Sequence, residues 1–241
     1  MPFLKNSFSS CEEYRLGAEK YSRIDILLSL FLYATLIFMY YVLGKIFISD
    51  GITLTNELVF TSTGVVSILI FIIVLLLCLF RKQRLSSVGF SRTKAKKSLR
   101  LGLVLVIGIV ILFLIITFFL GFTLHSDINM IIMQFFYYLF EIAFVEELVF
   151  RGYIGTRLYG AIKNKVIAIS ITGLLFTLMH VPFQMLLAHM SIIDYIATNW
   201  VNLILIFLLH FIFQAIYAKY NSIIAPTLFH FVWDYMQWFI V

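Results

Sequence analysis

The sequence contains little charge for its length. Asp, Glu, Lys and Arg make up 12% of the 241 residues, whereas a soluble domain has about 25%. Apolar residues make up 62%, and several apolar runs reach the roughly 20 residues that cross a bilayer as a helix. Because these runs are continuous and do not alternate with polar residues, they exclude a membrane β-barrel and predict an all-α integral membrane protein.

Cysteine is equally scarce, and two common signatures are missing. The only cysteines, Cys11 and Cys78, are isolated in the sequence, which excludes a disulfide framework. No HExxH zinc-protease motif is present. The first apolar run is too long for a signal peptide, and no small-residue cleavage site follows it. We therefore expect this run to remain in the mature protein.

The apolar runs predict seven transmembrane helices. Residues 182–200 are ambiguous, because Pro182 can end or kink the fifth helix and residues 185–197 can form a further short or re-entrant helix. The expected fold is a polytopic bundle of seven to eight transmembrane helices. The predicted spans cover residues 24–48, 58–80, 101–121, 129–159, 166–187, 199–219 and 222–241.

The basic residues predict the orientation of the bundle. Eight Lys or Arg and no acidic residue lie between Arg81 and Arg100, and Lys163 and Lys165 follow the fourth predicted span. Asp127 and Asp194 lie in loops on the opposite side. Since cytoplasmic loops carry the excess of basic residues, we expect the N-terminus to be cytoplasmic. This topology and anionic lipid account for the net charge of +6, so nucleic acid is not an expected partner.

Ionisable residues inside the predicted spans are concentrated in the C-terminal half. Charges at membrane depth cost about 2.5–3.5 kcal/mol each and are usually kept for function. We therefore expect a cytoplasmic segment over residues 1–23, a three-helix scaffold over 24–121 and a catalytic core with a polar cavity over 122–241, within a single membrane domain. The ionisable residues in question are Glu141, Glu146, Glu147, Arg151, His180, His210, His230 and Asp234.

The adjacent acids Glu146 and Glu147 are predicted to have different roles. On an α-helix Glu147 lies on nearly the same face as Arg151, four residues later, in the favourable order for an ion pair. Glu146 is rotated by about 100° and can point into a cavity. Two neighbouring carboxylates in a site of low dielectric constant should titrate differently, and the one without a partner suits a general base. Extending the fourth helix to Tyr159 places Glu146 near mid-membrane and predicts that Arg151 is buried.

His180 on the fifth span, and His230 with Asp234 on the last, complete the polar set. Two histidines and several carboxylates can bind a divalent metal such as zinc. Alternatively, a Glu–His pair can activate water directly while the other histidine stabilises an oxyanion. Hydrogen bonding between packed helices and a transporter's proton relay are further interpretations of the same residues.

The three motifs resemble those of the CAAX-protease and bacteriocin-processing family, also called the Abi family, of intramembrane endopeptidases. The motif residues are Glu146-Glu147-xxx-Arg151, Phe176-xxx-His180 and His230-xxx-Asp234, in that order. Phe150-Arg151-Gly152-Tyr153, the segment from Asn221 to Pro226 and Val88-Gly89-Phe90 are also similar to the family's pattern.

The resemblance implies a bundle of about eight helices around a cavity that opens to the lipid and the cytosol. It implies that Glu146, assisted by His180, activates water for attack on a peptide carbonyl. It also implies that His230 and Asp234 stabilise the oxyanion, that Glu147 and Arg151 order the site, and that no metal is needed. Asp234 departs from the Asn of eukaryotic members, and an ionised Asp would repel an oxyanion unless it were protonated or oriented His230 instead.

The expected function is hydrolysis of a membrane-associated peptide or protein, such as a bacteriocin, pheromone or leader-peptide precursor or a CAAX-type protein. The resemblance implies a bacterial plasma membrane, and the expected partners are that substrate and the bilayer, with no cofactor. Alternatives are a non-proteolytic membrane protein for bacteriocin self-immunity or scaffolding, and a proton-coupled transporter. His210 is expected to serve packing, and Glu141 is a minor candidate for the site because it faces another direction. His125 and His189 are expected in loops.

Overall fold

The computed structural model describes residues 12–18, 20–49, 53 and 55–240, and eight helices account for most of them. Cys11, Val241 and the rest of residues 1–11 lie outside the described residues. A short 3₁₀ helix, Leu85–Val88, lies between the third and fourth helices. In chain order the helices are α1 (Glu12–Ala18), α2 (Arg23–Phe47), α3 (Asn56–Phe80), α4 (Ala95–Leu120), α5 (Ile128–Ala161), α6 (Lys165–Leu187), α7 (Ile192–Tyr220) and α8 (Ile224–Phe239).

The chain is a multi-pass membrane protein. Among the described residues six helices, α2 to α7, are long and apolar enough to span a membrane. Helix α8 has only 16 residues, fewer than the roughly 20 of a full span, but it packs against α4, α5 and α7 inside the bundle. The expected bundle of seven to eight helices is thus confirmed at its lower limit.

The predicted end of the fifth span at Leu187 is confirmed, the ambiguity over residues 182–200 is resolved, and the predicted helix starts at residues 101 and 199 are wrong. Pro182 lies inside α6, which continues to Leu187, and α7 begins at Ile192, so residues 185–197 form no separate helix. A proline is tolerated in a membrane helix because neighbouring groups can satisfy the carbonyl that it leaves without a donor. The third span begins at Ala95 and not at residue 101, since the exposed Lys96 and Lys97 extend its first turn beyond the apolar run.

Helix α5 is the central element of the fold. Every residue from 145 to 158 is buried, so the helix is surrounded by others in this region. Tyr137–Phe144 and Glu147–Gly155 have π-helical hydrogen bonding, whereas the two ends of α5 are α-helical. A π-helix has a wider turn than an α-helix and is frequent at functional sites. The two glutamates therefore lie where α5 departs from regular geometry.

The C-terminal half of α5 packs closely against the backbone of the segment around Val88. A Cβ atom on Gly152 would lie 2.6 Å from the carbonyl oxygen of Val88, so only glycine allows this contact. Gly89, with φ of 94°, accepts a hydrogen bond from the backbone N–H of Ile223 at 3.3 Å. The three accessory sequence features of the family resemblance therefore contact one another here.

Helix α1 packs against the same end of the bundle. Tyr14 is buried, and its hydroxyl accepts a hydrogen bond from Gln214 Nε2 at 3.0 Å. Gly160 of α5 has no room for a Cβ atom, because the carbonyl oxygen of Ala18 occupies that position. The described part of the N-terminal segment is thus joined to α5 and α7, in the C-terminal half.

Candidate active site

The adjacent carboxyl groups of Glu146 and Glu147 face different partners. Glu147 Oε1 lies 3.0 Å from Arg151 Nη1, so the predicted ion pair is present. The same oxygen accepts a hydrogen bond from His230 Nδ1 at 2.9 Å. Glu146 Oε2 is buried and has no hydrogen-bond partner among the described residues. Each carboxylate therefore has a buried Oε2 without a hydrogen-bond partner among the described residues, but Glu147 is in addition held through Oε1 by an ion pair and a hydrogen bond.

Arg151 is buried entirely within protein, as the extended fourth helix predicts. Its side chain has 0% exposure, and its guanidinium carbon lies 4.1 Å from the ring centroid of Phe176 and 4.8 Å from that of Phe213. The ion pair with Glu147 and the two aromatic faces compensate the cost of burying this cation. Arg151 therefore fixes α5 against α6 and α7.

His180 presents its outer nitrogen to Glu146. Its Nδ1 donates to the backbone carbonyl of Phe176 at 2.9 Å, since a carbonyl oxygen can only accept. In the neutral ring Nε2 then carries the lone pair. This atom lies 4.0 Å from Glu146 Oε2. A basic nitrogen and a carboxylate oxygen thus face each other across a gap too wide for a direct hydrogen bond.

His230 lies among three carboxyl groups. Its Nδ1 faces Glu147, while its Nε2 lies 3.2 Å from Asp234 Oδ2 and 3.7 Å from Glu146 Oε2. The ring stacks on Phe213 with centroids 4.9 Å apart. Acceptors at both nitrogens favour a ring in which both nitrogens carry a hydrogen. Glu147 therefore sets the orientation of His230, and Asp234 occupies the other side of the ring.

A small cavity leads to these groups. It has a volume of about 200 Å³ and extends between α6, α7 and α8. His180, His230 and Asp234 form its polar end, and Leu205 and Trp233 are among its apolar walls. The side chain of Asp234 is 28% exposed, the highest value among the ionisable groups around Glu146. The cavity therefore joins an apolar groove to the carboxylate–histidine cluster.

Glu141 and His210 lie outside this cluster. Glu141 Oε2 accepts a hydrogen bond from Thr63 Oγ1 at 2.6 Å, and its backbone carbonyl accepts one from Ser67. It therefore faces α3, in a direction different from Glu146, as expected. His210 is fully buried, and its ring packs against Phe176 and beside Gly173. His125 and His189 lie in the predicted connecting segments.

Two residues near the site were not identified from the sequence. Phe213 contacts both Arg151 and His230 through its ring, but one Phe among 26 carries no distinguishing signal. Arg157 is fully buried, and its Nη1 donates to the carbonyl of Gly152 at 2.9 Å within the π-helical segment. Its position within the predicted span 129–159 was the signal that could have found it.

The described residues contain no group of three or more His, Cys, Asp or Glu side chains arranged to hold a metal ion. His230 Nε2 faces Asp234 and His180 Nδ1 faces a backbone carbonyl. The nitrogen best placed to bind an added group is therefore His180 Nε2, beside Glu146.

Comparison with protein families confirms the resemblance seen in the motifs. Residues 128–236 match the family model described as "Type II CAAX prenyl endopeptidase Rce1-like". The match runs from the first residue of α5 into α8 and includes all six predicted site residues, Glu146, Glu147, Arg151, His180, His230 and Asp234. No curated protein and no solved structure gave a significant match.

Proposed function

We propose that this membrane protein, whose residues 128–236 match the Rce1-like endopeptidase model, hydrolyses peptide bonds with a water molecule activated by Glu146. Its substrates are membrane-associated peptides or proteins, of the bacteriocin, pheromone, leader-peptide or CAAX-type class. It acts in a bacterial plasma membrane with its N-terminus in the cytosol. Neither a metal nor another cofactor is required by the proposed chemistry.

The geometry around Glu146 Oε2 is the observation that carries this proposal. The oxygen is buried, has no hydrogen-bond partner among the described residues, and lies 4.0 Å from His180 Nε2 and 3.7 Å from His230 Nε2. Two polar groups more than 3.5 Å apart can be bridged by a water molecule. A water lying off the line between Glu146 and His180, about 2.8 Å from each, would complete both. That water is the proposed nucleophile.

The neighbouring groups supply the remaining steps. Glu146 takes a proton as the water oxygen bonds to the peptide carbon, and then delivers it to the leaving nitrogen as the C–N bond breaks. The single hydrogen on His230 Nε2 is shared between Asp234 and the oxygen of the tetrahedral intermediate, which it stabilises as the negative charge develops. Glu147 and Arg151 hold His230 in place. Asp234 orients His230 and balances its charge. An ionised Asp234 therefore has a role that does not require contact with the oxyanion.

The cavity constrains how a substrate binds. A volume of about 200 Å³ admits one side chain with its flanking backbone and excludes a folded domain. Leu205 in its wall is 52% exposed, so the groove borders the lipid-facing surface of α7. An extended segment that enters from the membrane would bring its carbonyl toward the polar end. This supports membrane-associated peptides as the substrate class.

The experiment is cleavage of a mixed peptide library in liposomes by wild type, Glu146→Ala, His180→Ala and Glu141→Ala, with products identified by mass spectrometry. We expect wild type and Glu141→Ala to generate the same cleavage sites, because Glu141 contacts α3 and not the cluster. We expect Glu146→Ala and His180→Ala to be inactive at equal folded amounts.

Two outcomes would replace the proposal. If Glu146→Ala and His180→Ala cleaved like wild type, or if all four proteins were inactive while conferring equal bacteriocin protection, a non-proteolytic immunity role would be favoured. If wild-type activity were lost in a strong chelator and restored by zinc, the water would be activated by a metal and not by Glu146 alone.

A further inference from the structure

A second, larger cavity lies at the C-terminal end of α5. Its volume is about 730 Å³, within the range typical of ligand-binding sites. It is bordered by α1, the start of α2, the segment after α3, the end of α5 and the residue after α7. These ends all lie on the side predicted to be cytoplasmic, so the cavity is at the depth of the lipid headgroups and far from Glu146.

The charge of this cavity is strongly one-sided. Lys20, Arg81, Lys82 and Arg84 line it, and Asp25 is the one acid among its described lining residues. Asp25 is already neutralised, because its carboxylate lies 3.0 Å from Arg81 Nε and also accepts from Gln83. Among the described residues, no carboxylate lies within 4.0 Å of Lys20, Lys82 or Arg84. Three cations therefore line the space without a carboxylate partner among the described residues.

A buried cation adds to the positive potential from behind the wall. The guanidinium of Arg157 is fully buried and donates to Gln83 Oε1 at 2.5 Å, Ser87 Oγ at 3.2 Å and Thr156 Oγ1 at 2.7 Å. All three of these acceptors belong to residues that line the cavity. No carboxylate of the described residues pairs with Arg157, and its buried Nε has no hydrogen-bond partner among them. Its charge is thus balanced only by neutral acceptors and by the rings of Tyr153 and Tyr21.

We propose that this cavity binds the phosphate group of an anionic phospholipid headgroup. Basic pockets between membrane helices on the cytoplasmic side recognise such headgroups, and Arg and Lys are the residues that pair with phosphate. The position at the helix ends favours a lipid over a soluble phosphate ester, which has the same chemistry. The bound phosphate joins α1 and the 81–88 segment to α5, and so stabilises the end of the bundle that Arg157 supports.

The test measures thermal unfolding of the purified full-length protein in neutral micelles. Phosphatidylglycerol is added in one arm, phosphatidylcholine in a second, and glycerol 3-phosphate at constant ionic strength in a third. Lys82→Gln/Arg84→Gln removes two cavity cations, and the matched control Lys96→Gln/Lys97→Gln removes two exposed lysines from the same basic stretch outside the cavity. Both variants therefore have the same net charge and the same non-specific attraction to anionic lipid.

We expect phosphatidylglycerol to raise the unfolding temperature of wild type and of the control by roughly 5–10 °C near saturation, and to leave Lys82→Gln/Arg84→Gln unchanged. An equal rise with glycerol 3-phosphate, lost in the same variant, supports the site with a soluble ester as its ligand. No rise in wild type, or an equal loss in both double variants, overturns the proposal. If the cavity variant does not fold, Lys20→Gln, which changes a single exposed residue of the lining, replaces it.

Discussion

Glu146 and Glu147 are neighbours in the chain, but their surroundings give them separate tasks. Glu147 lies between a guanidinium and an imidazole, so its negative charge is compensated within the protein. Among the described residues, the ion-pair contacts of Glu146 Oε2 within 4.0 Å are with two imidazole nitrogens, both beyond hydrogen-bond distance. A carboxylate without a fixed donor can exchange a proton with a bound water, whereas one that is held by two donors is suited to positioning.

Arg151 should be required mainly for stability. Arg151→Met removes the ion pair with Glu147 and the cation–π contacts with the two aromatic rings, and it leaves the buried Glu147 carboxylate without its cation. Breaking a buried ion pair costs about 3–5 kcal/mol, so we expect a clearly lower unfolding temperature in detergent. The control Arg100→Met, at an exposed position of α4, should unfold like wild type. Equal stability of the two variants would show that Arg151 does not anchor the site.

Asp234 should act as a positioning residue for His230. Asp234→Asn keeps an oxygen that can accept from His230 Nε2–H, so we expect peptide cleavage within about tenfold of wild type. Asp234→Leu removes the acceptor, and we expect kcat to fall about 100-fold with a smaller change in KM. Steady-state kinetics of both variants provides the measurement. A comparable loss in Asn and Leu would mean that the negative charge itself is needed.

At the scale of the helix, α5 depends on contacts that only glycine permits. Its π-helical segment Glu147–Gly155 carries Arg151 and Gly152, and Arg157 donates to the carbonyl of Gly152. Val88 lies so close to Gly152 that a side chain at position 152 would displace the 3₁₀ helix Leu85–Val88. The contacts of the C-terminal half of α5 therefore help to fix the positions of Glu146 and Glu147 on the same helix.

Gly152→Ala should consequently destabilise the protein. Its Cβ atom would lie 2.6 Å from the Val88 carbonyl oxygen, and overpacking of this kind costs about 1–3 kcal/mol. Gly108→Ala in α4 is the matched control, because nothing lies within 4 Å of its added Cβ atom. It should be neutral or stabilising by up to about 1 kcal/mol through helix propensity. Thermal unfolding of the two variants checks this, and a tolerated Gly152→Ala would contradict the close contact.

Sequence patterns predicted the membrane helices well because apolar runs report the thickness of the bilayer directly. The start of α2 and the ends of α3 and α6 lie within one residue of their predicted positions. The π-helical turns of α5 were not predictable, since an apolar periodicity of 3.6 residues was assumed throughout. The start of α7 was missed because residues 182–200 were left ambiguous, and a separate short helix over residues 185–197 was considered in place of an earlier start of α7. At the site, spacing predicted the pair of Glu147 and Arg151, but the approach of His230 to Glu147 depends on tertiary packing.

At the scale of the whole bundle, Glu146 and His180 lie well inside their helices, away from the ends. Glu146 precedes the end of α5 by 15 residues, and His180 follows the start of α6 by 15 residues. At about 1.5 Å per residue, His180 lies roughly 22 Å from the start of α6, whereas Glu146 lies closer than this to the end of α5, because residues 147–155 are π-helical and rise less per residue. Their side chains nevertheless meet, with 4.0 Å between Glu146 Oε2 and His180 Nε2, and we expect water to reach them through the cavity between α6, α7 and α8, which His180 lines.

The topology predicts which loops face the cytosol. Single cysteines at Lys94 and Lys163 should be protected from an impermeant thiol reagent added to intact cells, and those at Asp127 and His189 should be labelled, in a background that lacks Cys11 and Cys78. Permeabilised cells provide the control, in which all four positions should react. Labelling of positions 94 and 163 in intact cells would reverse the orientation and place the basic cavity on the outer side.

The most direct test of Glu146 as the base is the single-turnover cleavage rate of Glu146→Gln beside Glu141→Gln. Both variants replace a buried carboxyl group on α5 with an amide, and the Gln at 141 can still accept from Thr63. At equal folded fraction, we predict that Glu146→Gln cleaves at least about 100-fold more slowly than wild type. We predict that Glu141→Gln remains within a few-fold of wild type. Cleavage by Glu146→Gln at the wild-type rate would contradict the account.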